Sequence, residues 1–275
     1  MGGLTPQDVM HHALNHTGQA VLTYVSWALT VVLVGVAWRL GRKDRSPIYV
    51  VMVFAAMVAA FAEPLYDVMF SLWFYSDGQM DHTFTAFGIP QPVWAHSGYA
   101  ILYALPAMYV VRAAWRGTLT PGKVWAFAGL ELLESCVFEM VGINIGTYTY
   151  WGPHVFRVFD YPLVIGVLEA GQTITFAMVA CQLRHRVTSP WQLLSLFWVF
   201  PVTMLGVNFG AGFTTILAIH LDHPHAWITR LAAVLTIGSV AVIVRLVSGI
   251  IPPPGSKHEP SSYPVEDQPR SLVRA

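Results

Sequence analysis

Residues 127–170 read FAGLELLESCVFEMVGINIGTYTYWGPHVFRVFDYPLVIGVLEA. An apolar run carries Glu131, Glu134 and Glu139, a turn-rich stretch follows, and a second apolar run carries Glu169. This pattern predicts a membrane helix, an outer hairpin and the start of the next helix. It also places carboxylates where a bilayer-spanning segment would carry leucine. A carboxylate in hydrocarbon is costly, so these positions ask for a chemical reason.

The rest of the chain supports the membrane reading. Of its 275 residues, 55% are hydrophobic and only 11% are charged, against about 25% charged in a soluble domain. Mean hydropathy is +0.54. Too few polar residues remain to cover a water-facing surface, so lipid is the expected solvent. A net charge of zero argues against a nucleic-acid partner, which would call for a basic face. Cys136 and Cys181 sit in apolar runs and read as small core residues, with no disulfide or metal spacing. No cleavable signal peptide is expected, because the first apolar run is long enough to span.

Seven runs approach the roughly 20 apolar residues needed to cross the hydrocarbon: about 20–40, 48–74, 92–112, 122–145, 161–183, 190–219 and 226–250. Pro47, Pro92, Pro121, Pro162 and Pro190 stand at their starts, where a missing N–H costs little. The loop cations Arg39, Arg42, Lys43, Arg45, Arg112, Arg116, Lys123, Arg184 and Arg186 alternate with Asp8, Asp77, Asp81, Asp160 and Asp222 on the opposite side. Lys257, Arg270 and Arg274 follow in the tail. By the positive-inside rule this predicts an all-α bundle of seven transmembrane helices. The N-terminus is outside, the C-terminus is cytoplasmic, and the expected location is the cell membrane. Residues 1–251 form that domain, and residues 252–275, rich in Pro, Ser and charge, read as a disordered tail. Ala55, Ala56, Ala59 and Ala60, Gly142 with Gly146, and Gly206 with Gly210 have the spacing of close helix contacts. Gly210 and Gly212 beside Asn208 also allow a break in the sixth helix.

Depth brings the acids together. Glu63 lies near the middle of the second helix, and Asp67 lies one turn outward on the same face. Glu131 and Glu134 are central in the fourth helix, and Glu139 is further out. Glu169 lies slightly outward of the middle of the fifth helix, with Gln172 and Thr173 on its face. Insertion scales charge about 2.5–3.5 kcal/mol for one such group, and several together approach the stability of a whole fold. No Lys or Arg shares their layer. The acids must then be protonated, hydrogen-bonded to one another, bound to a cation or bathed in a water-filled cavity, and each option implies an inward-facing polar site. Glu131 and Glu134 are about 60° apart around their helix, and Glu139 is about 80° to the other side of Glu131, so the three do not converge on one atom.

Aromatic residues crowd this layer. Trp73, Trp94 and Trp151 read as an interfacial belt. Tyr66, Phe70, Tyr99 and Tyr103 are candidates to bind a substrate, together with Asn144, Tyr148, Tyr150, Gln172 and Asn208. His96 is the best single histidine for an orienting role. The outer run His220-Leu-Asp222-His223-Pro224-His225 reads as a wet cap, since its spacing matches no helical ligand pair. Glu63–Asp67 (EPLYD) lacks the second acidic segment and the basic partners that a magnesium–diphosphate site would use. Residues 226–250 contain no Lys for a retinal Schiff base.

The segment Glu139-Met-Val-Gly142-Ile-Asn-Ile-Gly146-Thr-Tyr148-Thr-Tyr150, followed by Asp160-Tyr161-Pro162-Leu163, resembles a pattern of integral-membrane carotenoid hydratases: E–xx–G, then G–x–Y–x–Y, then V–P–L. It departs at Asp160-Tyr161, where a small apolar residue is expected. The seven-helix size and the acid in the second helix are similar to the transmembrane terpene cyclases of meroterpenoid pathways, although Phe61 and Ala62 stand where their Asn and Trp would precede Glu63. The first resemblance implies roles for Glu139, Tyr148 and Tyr150, and the second for Glu63.

The expected function is a membrane terpene cyclase or hydratase. An acid protonates an isoprenoid alkene or epoxide, and aromatic faces stabilise the carbocation. Glu63, Glu134 or Glu169 would donate the proton, and Asp67 or Glu139 would stabilise the cation or take the last proton. No metal and no organic cofactor is expected. The alternative is a proton-coupled transporter or channel that uses the same carboxylates.

Overall fold

The computed structural model describes residues 9–76 and 82–255. Asp8, Asp77, Asp81, Lys257, Arg270 and Arg274 of the charge pattern lie outside the described residues, as does the tail from 256 onward. Helices dominate: α1 (His16–Asp44), α2 (Ile48–Ala59), α3 (Glu63–Phe70), α4 (Val93–Tyr99), α5 (Leu105–Trp115), α6 (Pro121–Asn144), α7 (Leu163–Arg186), α8 (Leu196–Ile219) and α9 (Ala226–Val247). Among the described residues, five helical stretches can cross a membrane by length and composition: His16–Asp44, Ile48–Phe70, Leu163–Arg186, Pro190–Ile219 and Ala226–Val247. The protein is therefore a multi-pass membrane protein.

The proline punctuation predicts the helix starts well. Pro47, Pro92 and Pro162 stand immediately before α2, α4 and α7, Pro121 opens α6, and Pro190 opens a 3-10 turn before α8. Thr120 caps α6 by accepting the Lys123 N–H, and Asn15 caps α1 by accepting the Gly18 N–H at 3.0 Å.

Two apolar runs are not single regular helices. A 3-10 turn at Ala60–Ala62 separates α2 from α3. Pro64 follows directly and lacks the N–H that would continue the ladder, so Glu63 sits at the break. A π-helical turn at Ala100–Ala104 separates α4 from α5. Pro106 likewise withholds a donor from the carbonyl four residues back, and the wider turn accommodates the loss. The break that Gly210 and Gly212 allow in the sixth helix does not occur, since α8 runs unbroken from Leu196 to Ile219. Gly206 and Gly210 face open space, not a partner helix, whereas Ala55, Ala56, Ala59 and Ala60 are buried contacts as their spacing predicts.

Among the described residues the bundle also carries three two-stranded antiparallel ribbons, which the all-α expectation did not include. Two of these strands are β1 (Leu72–Phe74) and β4 (Tyr148–Tyr150). They pair with the register Leu72↔Tyr150, Trp73↔Thr149 and Phe74↔Tyr148. The second helix thus ends at Phe70, short of the expected residue 74, and its exit strand joins the GTYTY hairpin. β2 (His82–Ala86) and β3 (Ile89–Pro92) form a hairpin whose two-residue turn, Phe87-Gly88, has positive φ at both positions. β5 (Arg157–Val158) pairs with β6 (Tyr161–Pro162).

At the other end, Asp44 accepts the Tyr49 hydroxyl at 2.6 Å and pairs with Arg112 at 3.3 Å. Arg184 donates to the same Tyr49 hydroxyl at 2.7 Å and lies 4.0 Å over the Trp115 ring. The loop cations therefore also tie helix ends together. The first residues of the expected tail join them, with the Gly255 N–H donating to the Trp115 carbonyl at 3.1 Å.

Candidate active site

A small cavity of about 30 Å³ lies where α3, α4, the π turn, α6, α7 and the β1–β4 ribbon meet. Glu63, Glu139 and Glu169 line it, each from a different helix. Tyr66, Tyr99, Tyr103, Tyr148 and Tyr150 line it too, with Phe74, Trp94 and Phe138. No Lys, Arg or His is among the lining residues.

The ribbon places four of these walls. Side chains alternate along a strand, so Leu72 and Phe74 share a face, as do Tyr148 and Tyr150. The register sets the two pairs side by side, and all four line the cavity. Gly142 makes the approach possible: a Cβ there would collide with the Tyr148 ring. Gly146 turns the chain into the ribbon with φ +75°.

The three acids differ in their hydrogen bonds. Glu169 is the most fully satisfied. Its Oε1 accepts the Tyr103 hydroxyl at 3.0 Å, and its Oε2 accepts the Tyr161 hydroxyl at 3.0 Å and also the Ser135 hydroxyl. Glu139 accepts the Tyr150 hydroxyl at 3.2 Å, while the Tyr148 hydroxyl donates to the Glu139 main-chain carbonyl at 3.4 Å. Glu63 Oε2 is buried with no partner, as is the Tyr66 hydroxyl. The cavity thus holds an unsatisfied carboxyl oxygen and an unsatisfied phenol beside a carboxyl that three donors hold in place.

The neighbouring candidates fall elsewhere. Asp67 is fully buried one turn further along α3, where it accepts Gln91 Nε2 at 2.6 Å, and it does not line the cavity. Phe70 packs behind Tyr66, ring centroids 4.7 Å apart. His96 makes two structural contacts, to the Met57 carbonyl at 2.8 Å and to the Thr83 hydroxyl at 3.0 Å. Asn144 is exposed and ties α6 to the hairpin through the Phe159 carbonyl. Gln172 accepts from Asn208, whose amide also reaches the Met204 carbonyl at 2.9 Å, so this pair joins α7 to α8. Glu131 accepts the Thr173 hydroxyl at 3.0 Å on the α6–α7 seam. Glu134 turns away from the cavity, into an apolar groove on the outside of the bundle.

Ser135, Tyr161 and Trp94 take part beyond their sequence reading. Ser135 lies one helical turn from both Glu131 and Glu139, so the three form a stripe on α6 facing α7. That spacing was available in the sequence. Trp94 is only 4% exposed and packs on Phe74 and Tyr148 at 5.5 and 5.6 Å, so it is a cavity wall and not part of an interfacial belt.

The hairpin is pinned over the cavity by two side chains, His154 and Arg157. His154 contacts the Phe70 carbonyl through Nε2 at 2.8 Å and lies edge-on to Tyr150. Burial pushes this imidazole down to about 3, so it is neutral at physiological pH and donates that hydrogen bond. Arg157 donates to the carbonyls of Tyr150 at 2.9 Å and Gly152 at 3.1 Å. The outer histidines His220, His223 and His225 are exposed, and among the described residues no group of three His, Cys, Asp or Glu is placed to hold a metal.

Comparisons of the chain with protein-family models, with curated proteins and with solved structures returned no match.

Proposed function

We propose that this protein is an integral-membrane enzyme of the terpene cyclase or hydratase class. It protonates an isoprenoid alkene or epoxide and controls the resulting carbocation. The observation that carries the reading is the convergence of Glu63, Glu139 and Glu169 on one aromatic-walled cavity without a cation. We also propose that the α4–α5 stretch and α6 cross the membrane, completing seven spans with the N-terminus outside and the C-terminus in the cytoplasm of a cell-membrane protein. The π turn divides the first of these into two short helices, and three glutamates load the second with charge.

The hydrogen bonds divide the roles. Glu63 has an unpartnered oxygen, so as a carboxylic acid it is free to give its proton to an alkene carbon or an epoxide oxygen. The faces of Tyr66, Tyr99, Trp94 and Phe74 stabilise the cation. Glu169, fixed by Tyr103, Tyr161 and Ser135, or Glu139, held by Tyr150, takes a proton from the cation or from the water that adds to it. The proton donated at the start is recovered at the end, so the balance closes for cyclisation, isomerisation or hydration. No metal or organic cofactor enters this scheme.

The test is incubation of the protein in vesicles with isoprenoid alkenes in deuterated water. The reading expects a new lipid product with deuterium bound to carbon. Proton-dependent uptake of solute with unchanged lipid would instead favour a proton-coupled transporter, a reading that draws support from the Glu131–Thr173 and Ser135–Glu169 hydrogen bonds along the α6–α7 seam.

A further inference from the structure

The acid cavity has room for only about two water molecules. A second, much larger cavity of about 700 Å³ lies on the bilayer side of the bundle, between α1, the π turn with α5, and α6. Its volume falls in the range of about 300–1,000 Å³ that holds a ligand of moderate size. Its lining is apolar apart from a few polar groups, and Glu134 is its only carboxylate. Leu130, Leu133, Val137 and Val141 present this face of α6 outward, each at least half exposed.

The two cavities have one lining residue in common, Phe138. Its neighbours split around it: Val137 faces the groove and Glu139 faces the acids. Across from the ring stands Gly98. A Cβ built there lies 3.4 Å from Phe138 Cζ, at the near edge of ordinary contact. The glycine therefore leaves the ring a space that any larger residue would fill. The helix carrying Gly98 changes to a π turn at Ala100, two residues on, a feature that recurs at functional sites.

We infer that the groove is the lateral entrance for the apolar tail of a bilayer-dissolved isoprenoid, and that the Phe138 ring is the gate between it and the acid cavity. The occupant follows from three facts together. The groove lies on an exposed apolar face of a membrane protein, its walls are apolar, and one side chain, Phe138, lines both it and the acid cavity. A rotamer change of that ring would join the two volumes, and the ring's size would set which chains pass. This entry route rests on the cavity being the place where the substrate reacts, but its test needs no turnover.

A long-chain aliphatic diazirine dissolved in phosphatidylcholine vesicles would be photolysed with wild-type, Phe138→Ala and Phe138→Trp protein. Peptide mass spectrometry then gives the ratio of adducts on Glu63, Glu139 and Glu169 to adducts on Glu134. Glu134 lies on the groove side of the gate, so its labelling reports that each variant is folded and lipid-exposed. We expect the ratio to rise about fivefold or more in Phe138→Ala and to fall by a similar factor in Phe138→Trp, equivalent to roughly 1 kcal/mol in gate opening. A ratio that is the same in all three proteins would overturn the gate. That result would leave the acid chemistry untouched, because deuterium incorporation tests it separately.

Discussion

Tyr103 donates its hydroxyl to Glu169 at 3.0 Å, linking the π turn after α4 to the N-terminal half of α7. The bond joins two elements that are 66 residues apart, and it sets one wall of the cavity. Tyr103→Phe removes the donor and keeps the ring. One hydrogen bond to an ionisable partner is worth about 1.5–3 kcal/mol, so turnover should drop about tenfold or more while the fold persists. Infrared spectra of the carboxyl region, compared with Glu169→Gln, should show the Glu169 band displaced. An unmoved band would mean that the two groups do not interact.

Gly142→Ala and Gly129→Ala form a matched pair on α6. A Cβ at 142 meets the Tyr148 ring, whereas nothing stands within 4 Å at 129. Overpacking costs about 1–3 kcal/mol, while alanine in an open helical site gains up to about 1 kcal/mol. Thermal unfolding in detergent should therefore fall for Gly142→Ala and hold or rise for Gly129→Ala. Equal shifts would remove the proposed reason for glycine at 142.

His154 gives the protein an acid limit. Its folded value lies at about 3, below the ordinary 6.5. The unfolded chain therefore binds a proton that the folded chain excludes, and stability falls as pH drops from about 6.5 towards 3. Above 6.5 both states are neutral and the contribution is flat. Denaturation measured through this window should be less steep for His154→Gln than for wild type. Identical slopes would assign the acid sensitivity to other groups.

Most of this architecture was legible in the chain. Carboxylates in an apolar sequence are costly, so Glu63, Asp67, Glu131, Glu134, Glu139 and Glu169 stand out and their depths imply one layer, but of these Glu63, Glu139 and Glu169 line the cavity. Prolines marked the helix starts because a missing donor is tolerated there. The rotation of α6 was not legible. Lipid and protein interior are both apolar, so a membrane helix shows little amphipathic contrast, and nothing local said that Glu134 faces outward while Glu131 faces α7. The pairing of residues 72–74 with 148–150 joins segments far apart in sequence, which neither segment announces alone. Trp94 and His96 were misjudged for a related reason. Only the fold determines that Trp94 packs on Tyr148 and that both ring nitrogens of His96 are engaged by Met57 and Thr83.

Tyr150→Phe isolates the lid's chemical part from its structural part. The ring and the Leu72↔Tyr150 register remain, but Glu139 loses the hydroxyl that it accepts at 3.2 Å. Stability should fall by about 1.5–3 kcal/mol at most. If Glu139 is the terminating base, the ratio of water-captured to proton-loss products should shift. A constant product ratio would assign termination to Glu169.

The central claim is that an acid in the cavity protonates the substrate. Its most direct test is the rate of deuterium transfer from solvent to isoprenoid carbon by Glu63→Gln, Glu139→Gln and Glu169→Gln, with Glu131→Gln as a buried carboxylate outside the cavity. General acid catalysis contributes about 10²–10⁴-fold, so Glu63→Gln should lose at least about a hundredfold while Glu131→Gln stays near wild type. Full deuterium transfer by all three cavity variants would contradict the account.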